Sequence, residues 1–258
     1  MLTTSSPATI APDNTLREPQ PIVIVCGPTA SGKSTIASNL AEVAELEQPP
    51  TTSNDDRGPG TSDDTRLADL TLLRWLADRD RPAIVKSASI PRLLAVDNTA
   101  LIVQLTASPP VRARRLQKRW PNSTYAEARH LLELTDATTC TELRSSWGID
   151  ISESRGNRWR ADLVIGCPQV RTCDDERACT ETVTDLLTAA YGIYENYVTA
   201  NPAIEGPDAL ELFAHLRHTY PRYVRRLRPA LVGPVREFTA DAWRNRTLGE
   251  LDARSGLV

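Results

Sequence analysis

The eight residues Gly27-Pro28-Thr29-Ala30-Ser31-Gly32-Lys33-Ser34 constrain this chain more than any other stretch, and Thr35 extends them. They fit the pattern G-x-x-x-x-G-K-[ST], and their setting fits it too. Ile22-Val23-Ile24-Val25-Cys26, just before, is short, apolar and β-branched, as in a strand buried in a parallel sheet. Just after, Ile36, Leu40, Val43 and Ala44 recur at helical spacing. Strand, glycine loop and helix in that order build an anion site. The glycines let the backbone approach phosphate oxygens closely. Successive amides and the positive helix N-terminus then face the anion. The pattern implies a nucleoside triphosphate, with ATP expected, held by Gly27, Ala30, Ser31, Gly32, Lys33, Ser34 and Thr35. Lys33 is expected to neutralise the β- and γ-phosphates, and the Ser34 hydroxyl to take one position on Mg²⁺.

Composition bears on what else such a chain can be. Its 258 residues suit one large α/β domain with an appendage, and a formal net charge of −3 gives no bulk attraction to nucleic acid or membrane. No run of 18 apolar residues exists, so no spanning helix is expected. The first twenty residues lack a basic n-region and an apolar h-region, and read as a disordered lead-in rather than a signal peptide. Cys26, Cys140, Cys167, Cys173 and Cys179 are odd in number and form no C-x-x-C pair, which suits free thiols in a reducing cytoplasm. Lysine occurs only at 33, 86 and 118, against 27 arginines; a codon bias accounts for the ratio, but a lysine kept inside the glycine loop is then harder to dismiss as filler.

Beyond the first helix, residues 47–60 are rich in Pro, Gly, Ser and Asp and read as a connection. Asp55 and Asp56 within it resemble the acidic pair of uridine-kinase-like enzymes. That resemblance implies that Asp55 or Asp56 holds metal-bound water or takes the acceptor's proton, with Asp55 also a metal candidate. A solvated turn explains the same residues without chemistry. A helix over about 64–79 follows, with Leu67, Leu70, Leu73, Leu76 and Ala77 on its inward face. Residues 82–86 and 100–105 read as two further strands. Strands alternating with helices predict a doubly wound, mostly parallel sheet whose site lies at the strand C-termini.

The third strand runs into Ala107-Ser108-Pro109-Pro110-Val111-Arg112-Ala113-Arg114-Arg115-Leu116-Gln117-Lys118-Arg119. Ser108 and the two prolines suit a helix start. Arg112, Arg115 and Arg119, three and four apart, share one helical face. The stretch "LIVQLTASPPVRARRLQKR" resembles the strand-to-lid passage of cytidylate kinases and cytidylate-kinase-like proteins, and "ADLVI" at 161–165 looks like the last strand of that family. The resemblance implies a P-loop NTPase fold over residues 21–192. It also implies an arginine-rich lid at about 109–160 and a kinase activity in which Arg112, Arg115 and Arg119 close over the transferring phosphate. A solvated basic face is the alternative for the arginines. Lys86-Ser87-Ala88-Ser89, just past the second strand, departs from the family, which shows an acidic or Gly-Arg-Asp-type sequence there.

The lid passage continues with a helical pattern from Tyr125 to about Ala137, apolar at Ala128, Leu131, Leu132 and Leu134, and Trp147 reads as a packing residue. A helix over about 174–192, with Ala178, Val183, Leu186, Leu187 and Ala190 inward, closes the domain. Residues 193–258 read as a helical extension. The arginines and tyrosines at 220–228 suggest nucleic acid by charge and stacking, but a packing appendage or dimer surface is favoured. The resulting expectation is a cytoplasmic phosphotransferase acting on a nucleoside, a nucleotide or another small metabolite. A nucleotide-binding regulator without transfer activity is the alternative, kept alive by the residues after Val85. A tRNA prenyltransferase-like enzyme ranks lower, because its D-S-x-Q-V-Y stretch has no counterpart here.

Overall fold

A computed structural model describes residues 20–50, 62–93, 100–148, 161–166, 173–199 and 206–227. Four short strands form a parallel sheet: β1 (Ile22–Cys26), β2 (Ala83–Lys86), β3 (Leu101–Thr106) and β4 (Leu163–Gly166). A fifth, β5 (Val224–Leu227), pairs antiparallel with β4, giving the order β2-β1-β3-β4-β5. Glu47 adds one parallel bridge to Ala83 on the outer side of β2. The fold is thus a mainly parallel, doubly wound sheet flanked by helices.

The strands are apolar at every buried position because both faces are covered. Val23, Val25, Val103, Leu105, Leu163 and Ile165 pack with α1 (Lys33–Val43), α6 (Cys173–Thr199) and α7 (Gly206–Thr219). Ile22, Ile24, Val85, Ile102 and Val164 face Leu73 and Leu76 of α2 (Ser62–Asp78), together with Ile90 of the short α3 (Ile90–Leu93). A smaller cluster joins α4 (Pro109–Arg119) to α5 (Tyr125–Trp147) through Ala113, Leu116, Ala128 and Leu132. Thr124 and Glu127 form a capping box at the start of α5, and Gly148 ends it in the left-handed conformation. Among the described residues no helix is long and apolar enough to cross a membrane.

Several helical faces differ from the sequence expectation. Leu67 is 62% exposed, whereas Thr65, Asp69, Leu73 and Leu76 are buried. A leucine every third residue drifts around a helix, so Leu67 and Leu76, nine positions apart, end on sides about 180° apart. Val43 and Ala178 are also exposed, with Ala37, Ala41 and Cys179 buried on the inward faces. Helix α5 runs ten residues past the expected Ala137, to Trp147, and carries Asp136 and Arg144, and Leu134, expected on its apolar face, is exposed. Ser108 occupies the N-cap of α4 but makes no side-chain cap bond. Residues 193–258, expected to be a helical extension, begin inside α6, and Val224–Leu227 is a sheet strand. Tyr194 is fully buried, and Tyr197, Tyr220 and Tyr223 pack against the core. Cys26, Cys140 and Cys179 form no disulfide.

Candidate active site: the glycine loop and its two flanks

The glycine loop leaves β1 at the C-terminal edge of the sheet and enters α1. Gly27 has φ +147°, and a Cβ there would meet the Leu105 carbonyl oxygen at 2.3 Å. Glycine is required at that point by space as well as by backbone conformation. Ala30 at φ 58° and Gly32 at φ 102° are also left-handed, and these turns curl the backbone into a concave nest. The first helical bond of α1 is donated by the Ile36 amide to the Gly32 carbonyl at 3.0 Å, so the amides of residues 33–35 open toward the loop. No side chain caps Gly32. Lys33 is buried and its ammonium donates to the Pro28 carbonyl oxygen at 3.2 Å, bringing the charge over the loop. The Ser31 hydroxyl is buried without a hydrogen-bond partner.

Helix α4 braces one flank. Arg112, 7% exposed, donates to the Thr29 carbonyl at 3.2 Å and pairs with Asp136 of α5 at 2.8 Å. Arg115 donates to the Ala30 and Ser31 carbonyls at 3.3 and 3.0 Å, and its Nε pairs with Glu176 of α6. Lys118 also pairs with Glu176. Burial alone raises the Glu176 pKa, but hydrogen bonds and charge from Lys118 and Arg115 outweigh it and hold the carboxyl below its ordinary value. Three successive loop carbonyls therefore turn outward to guanidinium groups, which aims the loop's amides the other way. The three arginines do not act as one row. Arg112 and Arg115 are engaged with loop carbonyls and carboxylates, and Arg119 is exposed at the end of α4. Arg115, Lys118 and Arg119 line a cavity of about 210 Å³ with Ala30, Gly32 and Thr35.

The other flank holds a cavity of about 440 Å³, bounded by α1, α2, α5 and the end of β2. Lys86, Ser87, Ser89, Asp69 and Glu142 supply its polar groups, and Leu72, Ile84 and Leu143 its apolar ones. Asp69 is buried; its carboxylate accepts from Trp147 Nε1 at 2.7 Å and bonds the Ser89 side chain. Burial raises its pKa, against the lowering effect of those two bonds. Trp147, expected to be a packing residue, both packs beneath the sheet and orients this acid. The sequence reading missed Asp69. Its one signal was a carboxylate one turn from Leu73 on the inward face of α2.

Lys86 joins this cavity to the loop. Strand β2 pairs with β1 so that Lys86 lies opposite Val25, and the Lys86 ammonium donates to Ser34 Oγ at 3.2 Å. That hydroxyl is the one expected to bind Mg²⁺. A divalent cation would have to share that oxygen with Lys86 and would be repelled by the ammonium at close range. No acid stands just past the described strand ends, at Lys86-Ser87-Ala88-Ser89 or Thr106-Ala107-Ser108. Among the described residues no group of three or more metal-binding side chains occurs. The residues at Ser34 therefore do not fit a magnesium site. Asp55 and Asp56, the other acids assigned to acceptor or metal, lie outside the described residues.

No family model matches the chain, and no curated protein matches it. Solved structures similar to it include an uncharacterized protein from Eubacterium ventriosum, at 15% identity and TM-score 0.48, covering 65% of this chain and 96% of that one. A gluconokinase from Sinorhizobium meliloti aligns at 21% identity and TM-score 0.40, covering 66% and 97%. Shikimate kinase from Bacteroides thetaiotaomicron aligns at 14% and TM-score 0.39, covering 64% and 97%. These neighbours are kinases where their names give an activity, and they do not single out the cytidylate kinases. The strand order and the loop define a P-loop NTPase fold.

Proposed function

We propose that this chain binds a nucleoside triphosphate on residues 27–35 and transfers its γ-phosphoryl group to a small acceptor held in the larger cavity. The observation that carries this reading is the continuity between loop and cavity: Lys86 lines the cavity and also hydrogen-bonds Ser34. An acceptor bound there lies beside the end of a triphosphate seated on the loop. Transfer breaks the bond from the γ-phosphorus to the bridging oxygen of the diphosphate and forms one to the acceptor oxygen. The acceptor's proton passes to a base. Such a step asks little of the protein beyond positioning and charge.

In this reading Lys33 and the loop amides hold the phosphates, and Arg112 and Arg115 hold the loop in shape. Arg119, beside the smaller cavity, closes over the nucleotide. Asp69 orients the acceptor hydroxyl, and its raised pKa suits a proton acceptor better than an ordinary carboxylate. Asp55 and Asp56 remain candidates for the same task. The acceptor is a nucleoside, a nucleotide or a small hydroxylated metabolite. Lys86 at the Ser34 hydroxyl favours a second reading, in which the chain binds nucleotide as a regulator without transfer.

Nucleotide turnover by the wild type and Lys33→Ala, measured against a panel of nucleosides, monophosphates and hydroxylated metabolites, tests the proposal. Acceptor-stimulated diphosphate release that the variant loses supports it. Tight nucleotide binding with no acceptor-dependent turnover sinks transfer and leaves the regulator.

A further inference from the structure

We infer that Lys86 stands in for the divalent metal at the glycine loop, so that this protein binds its nucleotide as the metal-free polyphosphate anion. The inference rests on the reading of residues 27–35 as a nucleotide site and adds how that site is charged. Three observations converge on it. Parallel pairing of β2 with β1 carries residue 86 to the mouth of the loop, and the side chain there is an ammonium bonded to Ser34 Oγ at 3.2 Å. The residues that follow β2, Ser87, Ala88 and Ser89, bring hydroxyls and no carboxylate. Ser87 is itself engaged locally, exchanging a hydrogen bond with Ser89 Oγ at 3.1 Å and accepting from the Ile90 amide.

A metal in this position does two jobs. It neutralises charge between the β- and γ-phosphates, and it ties them to the loop serine. Lys86 has the means for both. Its ammonium carries three donors, of which Ser34 takes one, and the others can face phosphate oxygens. Lys33, whose ammonium lies over the Pro28 carbonyl of the same loop, supplies a second cation to the polyphosphate, in a chain that has only three lysines. A divalent ion brought in with the nucleotide would meet the ammonium at close range, and repulsion there offsets the attraction it brings.

Calorimetric titration of the full chain with ATP, in magnesium and in excess EDTA, tests this. The expected result is wild-type affinity within about threefold between the two buffers. Lys86→Met should lose about tenfold in EDTA, the effect of one charge-assisted hydrogen bond. Lys86→Asp, which supplies a carboxylate beside Ser34, should bind more tightly in magnesium than in EDTA. Lys86→Arg should keep metal-free binding and serves as the charged variant if the methionine variant fails to fold by circular dichroism. Wild-type affinity that falls tenfold or more in EDTA overturns the inference, as does Lys86→Met binding metal-free ATP as well as wild type. The two readings fail separately. Metal-free binding without any turnover overturns transfer alone, and acceptor-dependent turnover abolished by EDTA overturns the role of Lys86 alone. No binding in either buffer overturns both.

Discussion

The two flanks of the glycine loop spend their cations differently. On the α4 flank, Arg112 and Arg115 each contact loop carbonyls and each carry a carboxylate partner, Asp136 or Glu176. Their charge is largely compensated before any ligand arrives, and they act as struts. On the β2 flank, Lys86 has a neutral hydroxyl as its partner and borders open volume. An anion at the loop therefore gains little new charge from Arg112 and Arg115 and more from Lys86. A guanidinium fork suits the strut, since it bonds two carbonyls and a carboxylate at once, while a compact ammonium suits a ligand-facing point charge. A basic side chain near a phosphate loop is thus not by itself a phosphate ligand; what its charge is already paired with decides.

Four substitutions break or sharpen that contrast, in decreasing order of effect. Gly27→Ala should damage both flanks together, because the new Cβ overlaps the Leu105 carbonyl and the backbone there is left-handed. A loss of about 3 kcal/mol or more is expected in urea denaturation, with nucleotide binding abolished. Asp136→Asn should then separate the flanks. It leaves the buried Arg112 without its charge partner, and because Asp136 is about one-third exposed the cost should be about 1–3 kcal/mol in stability. A melting temperature unchanged by Asp136→Asn would mean that the α4 flank is no strut.

Asp69→Asn gives a smaller, pH-graded effect. Burial raises the Asp69 pKa above its ordinary 3.8, so the fold favours the protonated acid. Its contribution is complete below about pH 3.8 and is lost as pH rises through the folded value. The non-titrating variant should therefore gain on wild type in thermal melts as pH climbs from about 4 toward 7. A gap that shrinks over that range would contradict the burial of the charge. Lys86→Met should change stability least, within about 0.5 kcal/mol, because its side chain is only half-buried and braces nothing. A melting temperature that falls as far as for Asp136→Asn would make Lys86 a strut as well, and the contrast between the flanks would disappear.

Much of the architecture was legible because it is written in local runs. The apolar strands at 22–26, 83–86 and 101–106 suit burial on both faces, and a glycine loop between strand and helix presents its amides to an anion. Helical faces were read less well. Leucines at 67, 70, 73 and 76 looked like a stripe, but a three-residue step slips around the helix, and the polar Asp69 took the inward place instead. For the arginines and tyrosines at 220–228 a packing appendage or dimer surface was favoured, and Tyr220 and Tyr223 do pack against the core, but nothing local showed that residues 224–227 would pair with β4 as a strand.

What the sequence determined by itself was the loop, its strand and its helix, since each depends on residues within a few positions of one another. The partners of that loop were decided by tertiary structure. Arg112 reaches Thr29 across 83 positions, and Lys86 reaches Ser34 across 52. Local sequence rules describe turns, periods and caps; they carry no information about which distant side chain a strand register will bring to a hydroxyl. Here the pairing of β2 with β1 made that choice, and it brought an ammonium to the place where the motif alone called for a metal.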